Sequence, residues 1–217
     1  MTRILLPLLA LVVGLYTATP AWASSPRDEL RNRVEELLAI AEDRSLTVEE
    51  RAAHARNVVA TMFDFSTTAR HAFGAYWRRL TGTQRDEATG LMAGFLTESL
   101  VARVSQAPRR STDRMRQRLV FGTQSVSGQR ATVSLTLTAG RDDLPITADM
   151  VRRGSRWRVD DLRLDGVSLV ANYRAQFDRL MRGESYAAVL ERLHTKRDAL
   201  HLAATSHRAT FKEAPRA

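Results

Sequence analysis

Residues 129–139 read QRATVSLTLTA, and this stretch decides the fold. Ala131, Val133, Leu135 and Leu137 alternate with Thr132, Ser134, Thr136 and Thr138. Apolar and hydroxyl side chains at period 2 predict a strand with one buried face. RLVFGTQSV (118–126) predicts a strand before it. After it, RDDLP (141–145) reads as a turn, and Leu144, Ile146, Ala148 and Met150 alternate in a third strand. RRGS (152–155) turns again, and RWRVDDLRL (156–164) gives a fourth strand with Trp157 and Val159 inward. Strands joined by short turns predict an antiparallel meander with one apolar face.

Upstream of the meander the period is helical. Ser25-Pro26 with Asp28 and Glu29 is a helix start: a cap, a first-turn proline, early acids. Leu30, Val34, Leu37, Leu38 and Ala41 share one face. Thr47-x-x-Glu50 and Thr81-x-x-Gln84 are capping-box patterns. Asp64 or Ser66 caps a short helix that Gly74 ends or bends. The helix at about 83–105 carries a stripe of Ala88, Leu91, Met92, Phe95 and Ala102. Gly90 and Gly94 lie one turn apart inside it, each costing about 1 kcal/mol against alanine. That cost implies close backbone packing or a groove kept open for a ligand. Downstream, Leu169, Tyr173, Phe177, Leu180 and Met181 share a helical face, Gly183 ends that helix, and Ser185 caps another. The fold class expected is α+β: a curved antiparallel sheet of about four strands, covered by N- and C-terminal helices and enclosing an apolar cavity.

The chain has 217 residues, enough for one domain with a full core. Arg3 followed by ILLPLLALVVGLY and then TATPAWA reads as a signal peptide, cleaved after Ala23. The domain organisation expected is residues 1–23 removed, 24–203 as a single α+β domain, and 204–217 as a flexible basic tail. Export places the chain in an envelope compartment. With no cysteine, its core must suffice without disulfides, and thiol catalysis and cysteine metal sites are excluded. The net charge is +9, with Arg3 contributing one, and the only lysines are Lys196 and Lys212. For an exported chain the matching anionic surfaces are lipid headgroups or envelope polymers, not nucleic acid.

No catalytic set emerges. His54, His71, His194, His201 and His207 form no close ligand pattern, so no metal site is expected. GVSLV (166–170) lacks the second glycine of a nucleophile elbow. Asp160 and Asp161 are adjacent on a strand, so they should point to opposite faces. A one-sided apolar sheet with a helical cover, exported and without a catalytic set, reads as a carrier or binding module rather than an enzyme.

RWRVDDLRLDGVSLVANYRAQFDRLMR (156–182) closely resembles the C-terminal signature of the MlaC-type periplasmic phospholipid-binding proteins, also called toluene-tolerance auxiliary proteins. The matching positions are Trp157, Asp161, Gly166, Val167, Ser168, Asn172, Tyr173, Arg174, Gln176 and Phe177. FDF (63–65), Gly74, Trp77 and TGTQRDE (81–87) resemble the family's other marker. The sequence departs at Met150, where the family has tyrosine, and at LVARVSQ (100–106) and GESYAAVL (183–190). A sister group linked to hopanoid lipids fits less well, because it replaces the Gly-Val-Ser junction.

The resemblance implies a soluble monomeric shuttle carrying phospholipid as cargo and needing no other cofactor. Its partners would be an inner-membrane MCE-type ABC transporter complex and an outer-membrane lipoprotein–porin complex, and its role the maintenance of outer-membrane lipid asymmetry. Burying one chain of about 16 carbons is worth about 12 kcal/mol at about 0.8 kcal/mol per methylene, so headgroup choice should be loose. The wall residues expected are Leu91, Phe95, Val133, Leu135, Leu137, Ile146, Met150, Trp157 and Val159, each of which reads equally well as plain core. At the junction, Gly166 suits a tight strand-to-helix turn and Ser168 a helix cap. Tyr173 and Phe177 should stack on the sheet, and Arg174 face the cavity mouth or a partner. Two alternatives stay open: a binding component for other apolar molecules, hopanoid-related lipid or aromatic solvent, and a small periplasmic enzyme.

Overall fold

The computed structural model describes residues 24–106, 116, 118–139 and 142–205. The expected signal peptide and most of the expected basic tail lie outside these residues. The first helix, α1 (Pro26–Glu42), starts where Ser25 accepts the Asp28 amide at 3.1 Å. A full capping box opens α2 (Val48–Met62): the Glu50 amide donates to Thr47 at 3.1 Å, and the Thr47 amide to Glu50 at 2.8 Å. Asp64, not Ser66, caps α3 (Phe65–Phe73), accepting the Thr67 amide at 2.9 Å. Gly74, at φ +55°, ends α3 and leads into a 3-10 turn through Arg79. The second capping box, Thr81 with Gln84, opens the 24-residue α4 (Gly82–Ser105).

Five strands follow: β1 (Leu119–Ser127), β2 (Arg130–Ala139), β3 (Asp142–Arg153), β4 (Arg156–Leu164) and β5 (Val167–Ser168). They lie in chain order as one antiparallel sheet, with β1 at its long open edge. The β2–β3 register sets Ala131 against Met150, Val133 against Ala148, Leu135 against Ile146 and Leu137 against Leu144. The apolar alternation of both strands therefore meets on one face.

Three features depart from the expectation. RDDLP is not wholly a turn, because β3 already begins at Asp142 and Pro145 lies opposite Thr136. The fifth strand makes LRLDGVS a hairpin: Leu164 faces Val167 across Asp165 (φ +50°) and Gly166 (φ +77°). A two-residue loop with both φ values positive matches the right-handed twist of its strands, which is why Asp-Gly stands there. Gly166 thus turns strand into strand, and the helix follows one hairpin later. The third departure is a bulge in β4. Asp149 faces Asp161 while Met150 faces Val159, leaving Asp160 unmatched. A second irregularity interrupts β1 between Phe121 and Gln124, and such bulges bend a sheet.

Helix α5 (Leu169–Gly183) is capped by Ser168, which accepts the Ala171 amide at 2.9 Å. Helix α6 (Tyr186–Thr205) starts at Ser185. The core has two main bodies. Leu30, Val59, Met62 and Phe63, from α1, α2 and the residue that ends α2, pack on Val133, Ala148, Met150, Trp157 and Val159 of the sheet. Phe73, Leu91, Met92, Phe95, Phe177 and Val189 form a separate all-helical body. Among the described residues no helix is long and apolar enough to cross a membrane.

Candidate functional site

The two core bodies do not fuse completely. Between them lies a cavity of about 150 Å³, lined mainly by β4, α4 and α5. From β4 come Asp160, Asp161, Leu162 and Leu164; from α4, Leu96, Ser99, Leu100 and Arg103; from α5, Leu169, Val170 and Tyr173. Phe63 and Thr68 complete the wall. Leu96, Leu100 and Arg103 recur at four and then three residues, one helical face, distinct from the Leu91–Phe95 stripe. The lining is mainly aliphatic, and Arg103 is its one cationic member.

The bulge makes this wall. Trp157 and Val159 point to the sheet core at odd positions, and Leu162 and Leu164 face the cavity at even positions. The extra residue at Asp160 shifts the phase between them. Asp160 and Asp161 both border the cavity, and their carboxylates go to different partners.

The two carboxylates nonetheless have structural partners. Asp161 accepts the Ser168 hydroxyl and, at 3.1 Å, the Val170 amide, holding the start of α5 against β4. Asp160 is 1% exposed. One of its oxygens takes the Arg130 guanidinium at 2.8 Å, and the other is buried without a partner. Burial pushes its carboxyl above the usual range despite Arg130. Thr68 donates to the Asp160 carbonyl at 3.0 Å, tying α3 to the bulge. This pair lacks the shared, convergent geometry that acid–base chemistry on a substrate needs.

None of the nine wall residues expected from the sequence lines this cavity. Leu91 and Phe95 point into the all-helical body. Val133, Leu135, Met150, Trp157 and Val159 lie in the sheet-side core, with Ile146 packed against it, and Leu137 is half-buried opposite Leu144. Of the junction residues, Asp161 and Tyr173 reach the cavity. Val167 is exposed in β5. Tyr173 and Phe177 stack on helices, not on the sheet: Phe177 lies 4.7 Å from Phe73, and Tyr173 meets Phe95 edge-on at 5.5 Å. Arg174 does not reach the cavity. Its Nε donates to the His71 carbonyl at 2.7 Å and its side chain lies over Gly74, fastening α5 to the end of α3.

Of the histidines, His201 lies 3.3 Å from Glu98 and 3.2 Å from Arg56. Among the described residues no cluster could hold a metal ion.

An antiparallel sheet wrapped by helices, with an aliphatic cavity along their seam, defines an α+β protein built to hold an apolar group. The model of the MlaC protein family matches residues 31–195, and the chain belongs to that family. Among solved structures, the chain is similar to the phospholipid-binding protein from Ralstonia solanacearum in complex with a phospholipid. The match has a TM-score of 0.65 and 15% identity, and covers 82% of this chain and 99% of that one, a likeness of fold. No curated protein matches the sequence.

Proposed function

We propose that this protein is a periplasmic phospholipid carrier, not an enzyme, that passes lipid between outer-membrane and inner-membrane complexes. The inner-membrane partner is an MCE-type ABC transporter, the outer-membrane partner a lipoprotein–porin complex, and the effect is to maintain outer-membrane lipid asymmetry. One observation carries the reading: the aliphatic seam between β4, α4 and α5, in a member of the MlaC family. The fold shared with a protein crystallised around a phospholipid supports it.

Leu96, Leu100, Leu162, Leu164, Leu169 and Val170 offer an acyl chain continuous apolar contact. Every methylene taken from water there contributes about 0.8 kcal/mol. Exposed Arg103, the one cation of the lining, is the phosphate contact in this reading. A guanidinium suits that oxygen geometry.

The test is export of the chain to a bacterial periplasm, purification without detergent, and native mass spectrometry with lipid extraction. A stoichiometric phospholipid adduct is expected, and Arg103→Glu should lower its occupancy severalfold without altering the unfolding midpoint. A clean apo mass that also refuses added phospholipid would overturn the reading and favour a smaller apolar ligand.

A further inference from the structure

The two stretches that carry the family resemblance meet away from the cavity. Gly74 and Trp77 come from the first, Arg174 from the second, and none of the three lines the seam between β4, α4 and α5. They border a separate surface pocket of about 600 Å³, together with Arg70, Arg78 and Asp178. Gly74 makes the pocket possible. At φ +55° it turns the chain out of α3, so that Trp77 and Arg78 share one wall with Arg174.

Three guanidiniums face a single carboxylate here, that of Asp178. Folding alone gives no reason to gather them. Arg174 spends its Nε on the His71 carbonyl at 2.7 Å, which closes the end of α3 and leaves its two terminal nitrogens unused. Arg70 and Arg78 are exposed, and their side chains make no hydrogen bond or ion pair among the described residues. Their positive field reaches the neighbouring imidazole. Burial holds the His71 pKa below its usual range, and Arg70, Arg130 and Arg174 add to that against the opposing pull of Asp160. Like charges gathered without a counter-ion repel one another, and an anion placed among them removes that cost.

We infer that this pocket docks the protein on an anionic phospholipid membrane, with a headgroup phosphate taken between Arg70, Arg78 and Arg174. This goes beyond the carrier reading, because the lipid engaged here stays in its bilayer. Guanidinium forks match phosphate oxygens. A concave pocket ringed by three cations suits one protruding phosphate better than the dispersed charge of an acidic protein face. Half-buried Trp77 in its wall is of the residue type that settles at headgroup level.

The exported chain is co-sedimented with vesicles of phosphatidylcholine alone and of phosphatidylcholine with phosphatidylglycerol. Binding is expected only to the anionic vesicles, and it should fall as salt is added. Arg70→Glu with Arg78→Glu should weaken it at least tenfold, and the milder pair Arg70→Gln with Arg78→Gln should weaken it less. Arg44→Glu with Arg118→Glu makes the same change in net charge outside the pocket and should weaken binding less than threefold. Equal losses from the two glutamate pairs would overturn the pocket in favour of overall charge. A natural protein that ignores both vesicles would overturn membrane docking and point to an acidic protein face instead. Inorganic phosphate at constant ionic strength should leave the vesicle complex intact, and displacement by it would make the free ion the ligand and overturn the membrane as its source. Native mass spectra should show the phospholipid adduct kept in every variant. Loss of the adduct in the pocket variants alone would make the pocket part of the lipid cavity and overturn a separate site. An adduct absent from all the proteins, with the vesicle pattern intact, would be a failure of the carrier reading only.

Discussion

The Asp161 carboxylate accepts the hydroxyl of Ser168, the residue that caps α5, and so joins the end of the sheet to the start of the helix. Asp161 also takes the Val170 amide, and Ser168 takes the Ala171 amide. Two otherwise orphaned amides of one helix start are satisfied by two side chains that are hydrogen-bonded to each other. The family resemblance at these positions therefore has a physical content: the junction is a clasp.

Cutting the clasp has a defined cost. Asp161→Ala should lower stability by about 1–3 kcal/mol, since it strands a half-buried amide and hydroxyl. Ser168→Ala should cost about 1 kcal/mol, as for other helix caps. The two act through one shared hydrogen bond, so the double variant should lose less than the sum. Urea unfolding of the four proteins measures this, and strict additivity would refute a shared clasp.

Gly90 and Gly94 separate into two cases. A Cβ at Gly90 would meet nothing within 4 Å, whereas one at Gly94 would lie 2.7 Å from Cδ of Arg197 on α6. Gly90→Ala should therefore stabilise by about 0.5–1 kcal/mol. That raises Tm by about 1–4 °C for a chain of this size. Gly94→Ala must displace Arg197, so its benefit should be smaller. Thermal melts that rank Gly94→Ala above Gly90→Ala would contradict this packing.

Glu98 sets part of the acid limit. Burial raises its pKa, but the two-pronged Arg56 hydrogen bonds at 2.7 and 2.9 Å outweigh burial and leave it below the usual value. A depressed carboxylate pKa contributes stability above its unfolded pKa of about 4.5 and loses it as pH falls through the folded value. Glu98→Gln should cost about 1–3 kcal/mol at pH 7 and much less near pH 3. Denaturant midpoints across pH 3–7 check it, and a pH-independent penalty would rule it out.

Asp160 should behave in the opposite sense. Its pKa is raised by burial, so ionisation works against the fold as pH rises from the unfolded value of 3.8 through the folded one. Asp160→Asn should therefore gain on the natural protein as pH increases from 3 to 7. The same denaturant series measures this, and a variant that loses ground to the natural protein as pH rises would contradict it.

Helix starts and strand faces were legible because each rests on local chemistry. Thr47, Thr81 and Ser168 cap their own helices, and Val133 and Leu135 alternate within their own strand. The cavity wall was not, because it depends on how two elements cross. Leu91 and Leu96 are both apolar, both on α4 and both packed in the all-helical body, yet only Leu96 also reaches the cavity. One signal was in fact present. In WRVDDLRL the large apolar residues occupy 157 and 159, then 162 and 164, a skipped beat that marks the bulge. Asp-Gly at 165–166 was likewise the strongest short hairpin signal in the chain.

The strict neighbour order of the sheet also bears on how the molecule assembles. Strands β2, β3 and β4 pair with the next in line, so their contacts close short loops. Helices α4 and α6 must instead meet across nearly a hundred residues, as Ser105 does when it donates to the Ala204 carbonyl. Loop entropy delays such distant contacts. Pulsed hydrogen exchange during refolding should protect β2–β4 amides before those of α5 and α6. The packing of the C-terminal helices on α4 would then be the last seam to close as the chain folds.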